Sequence, residues 1–425
     1  MCYDNGLLFD ADFQRSLKEN FFFADSDSNG ERLFFDNSGG SLRLKAAVEA
    51  KASFEALPDC PDRTHQKAKE LKGFVERGTK ELLEIVFSAE KGSLVSELTA
   101  SQVMFHIIGL IMENVPGTNA VVSVLEHPSA FDAVEFYCKK TGKEMRVVPA
   151  NPKTGEIEPA AIAKLVDKGT CLLSVTAASN VCGVISDLKA IVKVARKIKP
   201  DIFIVSDAVQ HAPHCPLDVA ELELDGANFA PYKFFGVRGC GFGYVSERVA
   251  SLPHRKLIAK PQAEFGLGTS APGNFAAALE IINYAVQIGE HFIKSNDRKA
   301  LFREGMRRIH LQERALLHRM LEGTDEIPGL RHIPGVSVYV DGMPLTRRDL
   351  IAAIGIKGYS STECADEYAR RGVTVCDRSL ESIYSKRIVT ALDVPGCVRV
   401  SPMHCHGIED VDKFLKITAD MAISK

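Results

Sequence analysis

Ile202-Phe203-Ile204-Val205-Ser206-Asp207-Ala208-Val209-Gln210-His211 is the stretch on which the fold class turns. An unbroken apolar run ends in Ser206 and Asp207. Such a run reads as a strand buried on both faces, the kind parallel sheets are made of. Ligands of those sheets bind outside the carboxyl ends of the strands. Asp207 stands at that edge and is a candidate ligand group, although a loop Asp that caps the next turn satisfies the same local pattern.

Working outward, β-rich runs at 120–125, 145–148, 171–175, 226–230 and 241–245 surround this strand. Helical patterns at 102–113, 159–166 and 188–198 fall between several of them. The last follows Ser186-Asp187 and ends in Lys197, Lys199 and Pro200, a start and a stop signal. The alternation predicts an α/β fold with a mostly parallel mixed sheet and helices on both faces. A long helical pattern at 275–292 follows Ala271-Pro272-Gly273, and an Arg-rich one at 296–322 comes next. Short strands at 336–340, 373–376 and 398–401 lead to an amphipathic helix at 408–423, which reads as a smaller α+β unit. The expected organisation is an N-terminal arm over 1–30, a large domain over 31–295 and a small C-terminal domain over 296–425.

The chain has 425 residues, 45% hydrophobic and 25% charged, an ordinary globular mix that excludes a disordered or fibrous protein. Lys plus Arg number 52 and Asp plus Glu 55, a formal net charge of −3. That balance argues against nucleic acid or a membrane surface as partner. The longest apolar stretch, 103–112, is interrupted by His106 and falls short of the roughly 18 residues a membrane span needs. The start, Met1-Cys2-Tyr3-Asp4, lacks the basic and apolar regions of a signal peptide. Eleven cysteines without a Cys-x-x-Cys pair read as free thiols of a cytoplasmic protein.

Lys233 is the second chemical candidate, in Phe229-Ala230-Pro231-Tyr232-Lys233-Phe234-Phe235-Gly236. Desolvation among apolar neighbours lowers an amine's pKa and makes it nucleophilic; a snorkelling lysine would look the same. Gly239, Gly241 and Gly243 follow it, but their spacing is not that of a dinucleotide loop. His404-Cys405-His406 and the pair His211 and His214 look superficially like metal ligands. Neither has the second close pair that zinc sites use, so no metal is expected, and His211 and His406 remain candidates to line the site.

Taken in order, these motifs resemble the class V group of pyridoxal-phosphate enzymes of fold type I, which includes cysteine desulfurases, selenocysteine lyases, related C–S lyases, kynureninase and isopenicillin N epimerase-like proteins. The resemblance covers about residues 31–415. It implies pyridoxal 5'-phosphate as cofactor, with Lys233 as the Schiff-base lysine, Asp207 at the pyridine nitrogen and Gln210 at the phenolic oxygen. Thr99-Ala100-Ser101, opening a helix, would grip the phosphate, as a helix N-terminus suits a dianion. Glu126-His127 resembles the family's pair whose His stacks on the ring and moves protons, and Asn180 falls in the family's Asn-x-x-Gly loop. Asn37, in Asp36-Asn37-Ser38-Gly39-Gly40, would lie near substrate. Arg399 would clamp the substrate α-carboxylate, a contact for which a guanidinium fork is suited. Thr269, in Gly266-Leu267-Gly268-Thr269-Ser270, would reach the neighbouring subunit's phosphate, which implies a homodimer with shared active sites.

Two departures bear on the reaction. Ala230 and Tyr232 stand where many desulfurases have a Ser and a His on the phosphate; Tyr232 can still donate, Ala230 cannot. Between Val375 and Arg399 the only cysteines are Cys376 and Cys397, neither inside the 377–385 stretch where a desulfurase carries its sulfur-accepting thiol. The expected activity is therefore β-elimination, or C–S or C–Se cleavage, on a cysteine-like amino acid, with Asp377 or Arg378 as a candidate reader of a substrate group. The alternatives are a class V aminotransferase, an epimerase, a kynureninase-like hydrolase, or a catalytically silent scaffold of the same fold.

Overall fold

The computed structural model describes residues 3–424. Helix α1 (Ala11–Lys18) lies in the expected N-terminal arm and is tied to the end of the chain, with Lys18 ion-paired to Asp410 at 3.0 Å. Helices α2 (Lys45–Glu55) and α3 (Gln66–Glu81) follow. Then come strand β1 (Ser93–Glu97), α4 (Ala100–Asn114), β2 (Asn119–Ser123), α5 (Pro128–Thr141), β3 (Glu144–Val148), α6 (Pro159–Leu165), β4 (Thr170–Ser174), α7 (Leu188–Ile198), β5 (Phe203–Asp207), β6 (Gly226–Phe229) and β7 (Gly241–Val245).

These seven strands form one sheet in the order β1-β7-β6-β5-β4-β2-β3. Neighbours from β6 to β3 pair parallel, and only β7 runs against the rest. Both faces are covered, as the continuous apolar runs require. Ala120, Val122, Phe203 and Val205 pack with α4 and α5 on one face, while Val121 and Ile204 pack with α7 on the other. Helix α7 shows why its sequence is helical. Asp187 accepts from the N–H of Ala190 at 3.0 Å, and Leu188, Ile191, Val192 and Ala195 put one apolar stripe on the sheet.

Glycines 241 and 243, whose spacing fits no nucleotide loop, have a packing role. A Cβ on Gly241 would sit 2.2 Å from the backbone N of Ala100, and one on Gly243 2.4 Å from Val103. Their bare backbone lets α4 lie directly on β7, which brings the start of α4 to the edge of the sheet.

Helices α8 (Pro272–Phe292) and α9 (Arg298–Glu322) pack against each other, and the two halves of α9 feed different cores. Phe302 and Met306 join the large one, Leu316 and Met320 the core of a second sheet. That sheet, of β8 (Val336–Tyr339), β9 (Ala352–Ile356), β10 (Cys376–Arg378) and β11 (Cys397–Val400), is antiparallel in the order β8-β9-β11-β10. Helices α10 (Ser361–Arg370) and α11 (Ile408–Ile423) cover it. One boundary differs from expectation: the run 373–376 is not one strand. Val373–Thr374 pairs with Leu33–Phe34, and a new strand then begins at Cys376 to pair with β11. Among the described residues, ten cysteines are free, and no helix is long and apolar enough to cross a membrane.

The glycine packing predicts opposite signs for one substitution. Gly241→Ala forces a backbone clash and should lower stability to urea by about 1–3 kcal/mol. Gly73→Ala, inside α3 with open space around it, should raise stability by about 0.5–1 kcal/mol. Equal effects in the two variants would contradict the close approach of α4 to β7.

Candidate active site

Strands β2, β4, β5 and β6 all end at the same edge of the sheet, and the residues that follow them line one cavity of about 220 Å³. His127 follows β2, Asn180 follows β4, Asp207 and Gln210 come from β5, and Tyr232 and Lys233 follow β6. Thr99, Ala100 and Ser101, at the start of α4, close the other side. Residues separated by more than a hundred positions thus meet through strand order alone.

The start of α4 is built to face an anion. Thr99 Oγ1 accepts from the N–H of Gln102 at 3.1 Å, and the Thr99 carbonyl accepts from Val103 at 3.1 Å. The N–H groups of Ala100 and Ser101 have no partner within the helix. Arg238, which the sequence reading did not single out, also lines the cavity, with its guanidinium 4.3 Å from the Tyr232 ring centroid. Helix N–H groups, the Ser101 and Tyr232 hydroxyls and a guanidinium are the donor set of a phosphate site. Ala230 lies in the wall and offers no donor.

Lys233 is buried. Burial, reinforced by the charge of Arg399 and opposed by Asp207, lowers its amine from 10.5 to about 8. Asp207 is 4% exposed; burial pushes its carboxyl upward, against the Val209 N–H, which donates to Oδ1 at 3.0 Å, and against Lys233. Glu126 is fully enclosed, and burial raises it to about 8, so it is largely protonated at neutral pH. It is held by Ser123 Oγ and the Thr176 N–H. Burial, with Lys233, Arg378 and Arg387 nearby, lowers His127 to about 3. Its Nδ1 accepts from the Ser129 N–H at 3.1 Å, which puts the proton of the neutral ring on Nε2. The Tyr384 ring stacks 6.2 Å from it.

Gln210 and Asn180 each leave a buried amide oxygen without a partner. Buried polar atoms are rarely orphaned, and orphans that converge on a cavity mark a polar ligand. With a nucleophilic amine, a buried carboxylate and an anion cradle, the donor set fits pyridoxal phosphate.

The remaining expected residues lie differently. Arg399, 2% exposed, donates to Asp36 Oδ1 at 2.6 Å and to the Asn180 carbonyl at 3.1 Å. It thus touches the back of the cavity wall, and its Nε has no partner. Asn37 spends its polar atoms internally, donating to the carbonyls of Phe34 and Ser401 and accepting from the Leu42 N–H, each at 3.0 Å. Thr269 is outside this cavity and donates to Asp62 at 2.7 Å. Nor do His211 and His406 line it. His211 pairs with Asp349 at 3.0 Å, and His406 Nδ1 lies against the backbone of Met403. His214 donates to Glu313 at 2.7 Å, and Tyr284 meets His404 at 2.8 Å. These histidines belong to a buried network beneath the cavity, and among the described residues no cluster has the make-up of a metal site.

The model of the aminotransferase class-V family matches residues 33–414. The chain is 25% identical over 241 residues to a probable cysteine desulfurase of Mycoplasma genitalium, covering 56% of this chain and 57% of that one. It is 27% identical over 220 residues to a cysteine desulfurase of Escherichia coli, covering 50% and 52%. The matched part spans little more than half the length of these relatives. Among solved structures, a cysteine desulfurase from Thermococcus onnurineus has a TM-score of 0.78 at 21% identity, over 93% of this chain and 95% of that one. Another from Escherichia coli has 0.74 at 18%, over 98% and 99%. These likenesses establish the fold. With the family model covering most of the sequence and the same edge of the sheet carrying the cofactor's donor set, the chain belongs to the class V aminotransferase family, whose cofactor is pyridoxal 5'-phosphate.

Proposed function

We propose that this protein is a pyridoxal-phosphate-dependent lyase that cleaves the C–S or C–Se bond of a cysteine-like amino acid. The observation that carries the reading is the buried, partly deprotonated Lys233 in one cavity with Asp207 and His127. The lyase assignment also draws on relatives named cysteine desulfurases.

Bound here, the cofactor supplies an electron sink for charge released at Cα. Lys233 anchors it. Ala100 and Ser101 N–H groups, with Tyr232 and Arg238, take its phosphate, and Asp207 takes its ring nitrogen. Asn180 and Gln210 supply amides to its phenolic oxygen. Arg399 holds the substrate carboxylate with the donors left over from Asp36. Lys233 Nζ, freed when substrate binds, takes the Cα proton, and neutral His127 assists from Nε2. Loss of the proton and of the sulfur leaving group, followed by water, gives an oxo acid, ammonia and the free thiol.

The proposal extends to a cytoplasmic homodimer with shared sites and a domain boundary near residue 295. Thr269 lies away from its own chain's cavity, and exposed Leu98 and Leu267 line the same surface groove as Thr269. The free thiols among the described residues suit a reducing compartment.

Two measurements test this reading. Capture of pyridoxal phosphate by cofactor-free protein should speed up with pH and level off above about 8, because burial lowers Lys233 and the neutral amine is the nucleophile. A rise continuing toward the ordinary lysine range would contradict the lowered pKa. With the holoenzyme and L-cysteine, sulfide, pyruvate and ammonia should appear in equal amounts. Alanine in place of pyruvate would replace elimination with sulfur transfer, and no reaction with cysteine or any β-substituted alanine would remove the lyase reading.

A further inference from the structure

Arg378 is a buried cation with no carboxylate partner among the described residues. It is 8% exposed, and no carboxylate among the described residues lies within ion-pair distance. Its Nη2 donates to the carbonyl of Tyr384 at 3.2 Å, the Cys376 thiol lies against it, and its Nε is buried without a partner. An uncompensated charge in such a place is costly, and proteins keep one chiefly where a ligand supplies the counter-charge.

The ladder of β10 and β11 fixes where that ligand would sit. Cys376 faces Arg399 and Arg378 faces Cys397 in an antiparallel register. Side chains alternate along a strand, so Arg378 and Arg399 emerge on the same side as diagonal neighbours. Such diagonal pairs are about 7–8 Å apart at the backbone, within reach of long side chains. Both charges act on Lys233. They differ in one respect: Arg399 already holds Asp36, whereas Arg378 has no acid partner among the described residues.

We propose that Arg378 is a specificity-determining residue, reading a second acidic group on the side chain of the amino acid whose α-carboxylate Arg399 holds. The substrate class is then an alanine whose β-sulfur substituent ends in a carboxylate or a similar anion. The inference rests on the lyase reading of the same site. For S-carboxymethyl-L-cysteine, the Cα–H and Cβ–S bonds break, the sulfur leaves with a proton as mercaptoacetate, and water completes pyruvate and ammonia. No oxidant or reductant is needed.

The test uses the holoenzyme and two probes that need no turnover. Calorimetric titration should find glutarate bound at least about tenfold more tightly than butyrate, the worth of one charge-assisted contact. Arg378→Gln should bring the two within about twofold. In turnover, kcat/KM for S-carboxymethyl-L-cysteine should exceed that for S-ethyl-L-cysteine at least about tenfold, with the ratio falling toward one in the variant. Should Arg378→Gln fail to fold, the wild-type comparisons decide alone. Equal binding of glutarate and butyrate overturns the inference and leaves the lyase reading standing if cysteine is still cleaved. Tight glutarate binding without cleavage of any thioether supports Arg378 as an anion reader while removing the lyase reading.

Discussion

The parallel pairing of β5 with β6 is the constraint on which the site depends. The register sets Asp207 opposite Asn228, so the chain emerging from β6 turns into Ala230-Pro231-Tyr232-Lys233 beside the Asp207 carboxylate. Asn228 reinforces the junction: its Oδ1 accepts from the Ala208 N–H at 3.2 Å, and its amide donates to the Ala100 carbonyl at 3.2 Å. One buried asparagine therefore ties the carboxylate strand to the helix that faces the phosphate end. A slip of one residue in this register would turn Asp207 to the other face of the sheet.

Electrostatics then separate the roles of chemically similar groups. Burial raises both buried acids: it carries Glu126 to about 8 against the hydrogen bonds from Ser123 and Thr176, while the rise of Asp207 is opposed by the Val209 N–H and by Lys233. His127 is kept neutral by burial and by the cations around it, Glu313 raises His214 against its burial, and His214 and His404 in turn carry Glu313 down to about 2. Gln210 sits between the two systems, donating to Ser38 Oγ at 3.2 Å and lying 3.5 Å from His214. Its amide is positioned from below by charge and from the side by the N-terminal loop.

Much of this was legible in the sequence because it is local. The unbroken run 202–206 announced a doubly covered parallel strand, and Asp187 and the stripe behind it announced α7 almost to the residue. The motif order brought Thr99, His127, Asn180, Asp207, Gln210 and Lys233 into view, and these do share one cavity. What was not legible is what depends on pairing between distant segments. Nothing near Asp36 says that it neutralises Arg399, and nothing near Arg378 says that no acid among the described residues pairs with it. Gly241 and Gly243 looked like a failed loop motif because their purpose lies in a helix about 140 residues earlier. Asn37 looked like a substrate contact, whereas its polar atoms are taken up in joining the N-terminal loop to the end of β11.

Lys233, and no other amine, is expected to hold the cofactor. Borohydride reduction of the protein saturated with pyridoxal phosphate, followed by digestion and mass spectrometry, reads this directly. One pyridoxyl group per chain is expected, on the peptide carrying Lys233. A reduced adduct on a different lysine, or protein that takes up none, would contradict it.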